Sequence, residues 1–111
     1  MRSLRNSVQL IGRLGKDPEV KTFGTKKKAA FSIATTDSYK NSKGELIKET
    51  QWHNLIAWGK TAGIIEKYLT KGSEVAVEGK LINRNYTDKD GIKRYTTEIE
   101  VHELLMLDSK N

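Results

Sequence analysis

Apolar and polar residues alternate with a period of two over most of this chain, the signature of strands with one face buried. Val8, Leu10, Gly12 and Leu14 fall on one face of a first strand, with Ser7, Gln9, Ile11 and Arg13 on the other. Gly12 marks a tight bend of the kind a barrel needs. Gly15-Lys16-Asp17-Pro18 ends the pattern, because Pro18 has no amide hydrogen to give to a ladder. Glu19 to Phe23 reads either as a short strand or as a continuation of the first. Gly24-Thr25 supplies a turn into a second strand, with Ala29, Phe31, Ile33 and Thr35 on one face and the small residues Ala30, Ser32, Ala34 and Thr36 on its outer face. Asp37 to Leu46 is polar, contains Gly44, and predicts a mobile hairpin loop.

A third strand is expected from Ile47 to Trp58, and its parity is informative. His53, Leu55 and Ala57 point inward, which leaves Trp52, Asn54, Ile56 and Trp58 on the outer face. Thr61 to Leu69 then changes period. Ala62, Ile65 and Leu69 share a helical stripe that Ile64 and Tyr68 widen, and Lys71-Gly72 reads as a basic last turn with a glycine stop. This helix is expected to plug one end of a barrel. A fourth strand, Glu74 to Tyr86, turns Val75, Val77, Gly79 and Leu81 inward and Lys80, Ile82, Arg84 and Tyr86 outward. Asp88-Lys89-Asp90-Gly91 is a strong hairpin signal, and Tyr95, Thr97, Ile99 and Val101 form the inner face of a fifth strand. Five strands with a single helix between the third and fourth is the element order of an OB-fold, an all-β, partly open Greek-key barrel. The expected organisation is one domain over residues 1–107 and a polar end over residues 108–111.

Composition narrows the function. The 111 residues suit one core. A net charge of +6 favours a polyanionic partner, although basic balance alone is weak evidence. There is no cysteine, which excludes disulfides and thiolate metal sites. His53 and His102 stand far apart in sequence, so a zinc site is not expected. Gly12 to Asp17 lacks the spacing and hydroxyl of a phosphate loop, and no activated nucleophile or acid–base pair stands out. No cofactor and no enzyme activity are expected. The start lacks the long apolar run of a signal peptide and no segment is long enough to span a bilayer, so the expected location is the cytoplasm.

What remains is aromatic rings interleaved with positive charge. Trp52 and Trp58, two indoles on one face of a basic protein, make a platform on which unpaired bases can stack. Burial of both under another sheet or subunit is the other reading of that segment, and the segment by itself leaves the two open. Tyr86 lies with Arg84 and Lys80 on the fourth strand, Tyr39 with Lys40 and Lys43 on the hairpin loop, and Lys60 follows Trp58.

These residues resemble a bacterial-type single-stranded DNA-binding protein from about Asn6 to Leu107. The likeness rests on Gly12-Arg13-Leu14-Gly15-Lys16-Asp17-Pro18-Glu19, on Trp52-His53, and on Trp58-Gly59-Lys60. It continues through Tyr68-Leu69-Thr70-Lys71-Gly72-Ser73, Val77-Glu78-Gly79-Lys80-Leu81 and Arg94-Tyr95-Thr96-Thr97-Glu98. Each motif is weak alone, but together and in order they are highly specific. The resemblance implies a homotetramer with single-stranded DNA wrapped around it, serving replication, recombination and repair in the cytoplasm at the nucleoid. By the same resemblance Trp52, Trp58, Tyr86 and Tyr39 stack on bases; Arg84, Lys60, Lys80, Lys43 and Lys71 are the basic contacts expected beside them. Asn6, Val8 and Leu10 match positions at subunit contacts, as does His53, which reads equally as a core histidine. Ile82 and Asn85 depart from positions that are often basic. The family's Gly/Pro/Gln-rich tail with an acidic tip, which recruits replication and repair proteins, has no counterpart before Asn111. Two rivals carry different expectations: an OB module whose aromatic face makes protein contacts, and an RNA-binding OB protein.

Overall fold

The computed structural model describes residues 4–107; the polar end expected over residues 108–111 lies outside the described residues. Six strands and one helix follow in the order β1 (Val8–Leu14), β2 (Glu19–Phe23), β3 (Lys26–Lys40), β4 (Leu46–Trp58), α1 (Gly59–Tyr68), β5 (Glu74–Thr87) and β6 (Lys93–Met106). The short stretch Glu19–Phe23 is therefore a strand of its own, paired with β3 and, among the described residues, with no partner on its far side. The other five close into the expected OB barrel, with the helix between β4 and β5. Closure uses two short seams. Arg13 and Leu14 of β1 pair with Ala34 and Ile33 of β3, and Leu55 and Ile56 of β4 run parallel to Ile99 and Glu100 of β6. Gly12 sits where β1 crosses towards β3, and a Cβ there would run into the Ala34 carbonyl. That close approach is why the position takes glycine.

Alternation places the core as expected. Leu14, Ala29, Phe31, Ile33, Leu55, Ala57, Val75, Val77, Ile99 and Val101 fill the barrel, and Ala62, Ile65 and Leu69 bring the helix onto it. Each fully buried aliphatic side chain is worth about 1.5–3 kcal/mol. Two helix residues expected in the stripe, Ile64 and Tyr68, are exposed instead, because a ten-residue helix over one barrel end buries only a narrow face. The helix also stops earlier than the Gly72 signal: Leu69 leaves it in extended conformation, its amide still bonded to the Ile65 carbonyl. Gly72 serves the next turn, where its amide donates to the Leu14 carbonyl.

Two antiparallel arms run beyond the barrel. The segment expected to be a loop, Asp37 to Leu46, is mostly strand, and only Asn41 to Glu45 forms the connection. There the Asn41 side-chain oxygen accepts from the amides of Lys43 and Glu45, fixing the turn from within. The β5–β6 arm turns at residues 88–92 in the same way, with Asp88 Oδ1 accepting from the amides of Asp90 and Ile92. Leu81 and Tyr95 keep the predicted inner parity, yet both are exposed: β1 stops pairing with β5 at Gly79, which leaves Leu81 open although Ile99 opposite it is buried, and Tyr95 lies farther out on the arm.

Candidate nucleic-acid interface

Registers across β2, β3, β4, β6 and β5 sort their side chains onto one continuous outer face, since directly paired residues share a face. Trp52 stands opposite Ala34, Asn54 opposite Ser32, Ile56 opposite Ala30, and Trp58 opposite Lys28. The small outer residues of β3 therefore lie beside the indoles. Trp52 is 61% and Trp58 37% exposed, so no other sheet among the described residues of the chain covers them. Ile56, between them on the same face, is buried at 2%, flanked across the strands by Ala30 and Glu100. Six residues of strand separate the indoles by about 20 Å.

Each indole has its own support. A Cβ on Gly15 would lie 2.5 Å from Trp52 Cζ3 and 2.9 Å from Cη2, so this indole rests directly on the glycine backbone. Trp58 is flanked by Phe23 of β2, with ring centroids 6.3 Å apart and planes at 51°, and by the Lys28 ammonium 5.5 Å from its centroid. That spacing and tilt suit the ring quadrupoles, and the lysine meets the negative face of the indole. Lys21 and Lys26 share this face. Lys27, one residue out of phase, turns away, and its Nζ reaches Glu66 of the helix at 2.5 Å.

On the β5–β6 arm, Tyr86 pairs with Arg94 and is 52% exposed, with Arg84 and Lys80 on the same face. Arg84 is not idle there: its Nε lies 2.8 Å from Glu98 Oε1. Arg94 Nε donates to Asp88 Oδ2 at 2.8 Å, and that ion pair, before the amide bonds from Ile92 and Asp90, holds the Asp88 carboxyl below its ordinary pKa. The remaining expected contacts are more scattered. Lys60 is the second residue of the helix, two after Trp58, and Lys43 sits at the β3–β4 turn. The Lys71 amide donates to Asp17 Oδ1 at 2.8 Å, which ties its turn to the one carrying Gly15.

Tyr39 is not part of the platform. It pairs with Ile47 and so faces the opposite side of its arm from Trp52, with its hydroxyl donating to Glu49 Oε1 at 3.1 Å. Among the expected subunit contacts, Asn6 clamps Leu81 within the chain, its side-chain oxygen accepting from the Leu81 amide and its nitrogen donating to the Leu81 carbonyl. His53 is half-buried with Nε2 3.0 Å from Thr35 Oγ1, and Val8 and Leu10 pack partly buried against the core. Sequence reasoning missed Phe23 and Tyr95 as exposed aromatics, and Glu98 as the partner of Arg84. Only Phe23 left a signal, a large ring directly before a turn.

An OB-fold whose outer sheet face carries open aromatic rings among lysines and arginines defines a module for single-stranded nucleic acid. The comparisons with known proteins are more specific. The single-strand binding protein family matches residues 5–107. Single-stranded DNA-binding protein 1 of Chlorobaculum tepidum is 44% identical over 108 residues, covering 96% of this chain and 67% of that protein. Its counterpart in Xylella fastidiosa is 45% identical over 108 residues, covering 95% and 79%. Among solved structures, a Plasmodium falciparum SSB complex with ssDNA matches with a TM-score of 0.87 and 34% identity, over 97% of this chain and 98% of that one. The chain belongs to the single-strand binding protein family.

Proposed function

We propose that this chain binds single-stranded DNA without reading its sequence and protects strands exposed during replication, recombination and repair. One observation carries the reading: Trp52, Trp58 and Tyr86 lie exposed on one outer face that also holds Lys28, Lys80, Arg84 and Arg94. Every base has a π-face and every nucleotide a phosphate, so such a face binds strands of any sequence. The names of the bacterial relatives, and the single-stranded DNA in the P. falciparum complex, support the choice of DNA. The family is one of binding proteins and not of enzymes. Tyr39 joins the path where a strand passes over the β3–β4 arm to its other side, with Lys43, Lys60 and Lys71 as outlying phosphate contacts.

The working form in this proposal is a homotetramer in the cytoplasm, at the nucleoid. An open depression of about 920 Å³ with Ile11, Ile64, Leu105 and Met106 exposed along it supports burial against further copies. Asn6, His53, Val8 and Leu10 lie at or beside such contacts. Among the described residues no helix is long and apolar enough to cross a membrane. Competition between matched DNA, RNA and duplex oligonucleotides tests the function. Single-stranded DNA should compete best and duplex worst, because a duplex offers no free base faces; preference for RNA would overturn the assignment.

A further inference from the structure

Phe23 is a large apolar side chain that the core does not use. It is 55% exposed on the edge strand β2, and the Gly24-Thr25 turn, with Gly24 at φ 64°, sets it directly opposite Lys26. Lys21 and Lys28 pair one step further along on the same face. Between Glu19, Lys21, Phe23, Lys28 and Ala30 lies a cleft of about 130 Å³. An aromatic ring thus stands open to solvent among three lysines, beside Trp58.

We propose that Phe23 is a further base-stacking residue, and that the bound strand leaves Trp58 by turning onto β2. This rests on the single-stranded DNA reading above and extends its track by one ring. The 51° between the Phe23 and Trp58 planes sets the geometry. A base lying on Phe23 cannot be parallel to one lying on Trp58, so the backbone bends between them. Lys21, Lys26 and Lys28 line the outside of that bend and take its phosphates. The carboxylate of Glu19 bounds the cleft and turns the strand away from its far end.

The test uses two variants of the full chain and a labelled oligo-dT. Phe23→Leu keeps apolar bulk against Trp58 but removes the π-face, and should weaken binding by about 5- to 100-fold. The triple variant Trp52→Phe/Trp58→Phe/Phe23→Trp places the chain's one indole at the proposed site while leaving aromatic faces at the other two. Its emission should be strongly quenched when anisotropy of the label shows the protein saturated. Parent-like affinity of Phe23→Leu, or unchanged emission from the triple variant at saturation, would overturn the proposal and leave Phe23 a prop for Trp58. If the parent chain itself fails to bind the oligonucleotide, the functional reading falls first and this inference falls with it.

Discussion

Gly15→Ala probes the platform without touching an aromatic ring. Gly15 has ordinary negative-φ backbone, so alanine brings no conformational strain of its own. The added methyl would lie 2.5 Å from Trp52 Cζ3, inside any real carbon–carbon contact, so the indole has to move. Trp52 is 61% exposed and free to swing outward, which keeps the loss of stability small. An indole pushed off its rotamer by some 30° costs about 0.5–1.5 kcal/mol, and a stacked base contributes about 1–3 kcal/mol. Affinity for oligo-dT should therefore fall by about 1–2 kcal/mol, roughly 5- to 30-fold. The decisive assay is a double-mutant cycle read by anisotropy of a labelled oligonucleotide. In a Trp52→Ala background the glycine substitution should have little further effect, since there is no ring left to displace. An equal loss in both backgrounds would refute the idea that Gly15 acts through Trp52.

Further expectations concern the arms. Glu98→Gln releases Arg84 from its ion pair, so the salt dependence of oligo-dT binding should steepen by up to about 0.7 in the log–log slope, and affinity at low salt should rise; an unchanged slope means Arg84 does not meet a phosphate. Asn6→Ala removes both bonds to the Leu81 backbone and should cost about 1 kcal/mol, lowering the melting temperature by about 4 °C in a thermal scan. Asp88 has a folded-state pKa below its unfolded one, so its contribution to stability is complete above the unfolded pKa and is lost as pH falls through the folded one. Protection of the Asp90 and Ile92 amides, taken relative to their intrinsic exchange rates, should therefore fall only under acid conditions below the ordinary carboxylate range.

The barrel and the indoles were legible because both follow from a two-residue period, which is local. His53, Leu55 and Ala57 could be told from Trp52 and Trp58 by parity alone. What depends on distance along the chain was not legible. Leu81 and Tyr95 have core parity, and what exposes them is where β1 stops covering β5 and how far the arm runs past the barrel. Tyr39 looked like a loop residue because Asp37 to Leu46 is polar, yet main-chain pairing carries the strand through it regardless of composition. The ion pair between Arg84 and Glu98 joins residues fourteen positions apart through the β5–β6 register, which no spacing rule announces.

The most direct measurement is the intrinsic emission of Trp52 and Trp58 during titration with oligo-dT. Stacking on open indoles predicts deep, saturable quenching, retained in part by each single Trp→Phe variant and weakened as salt rises. Binding that leaves both indoles' emission unchanged would contradict the account, because the strand would then be held somewhere other than this face.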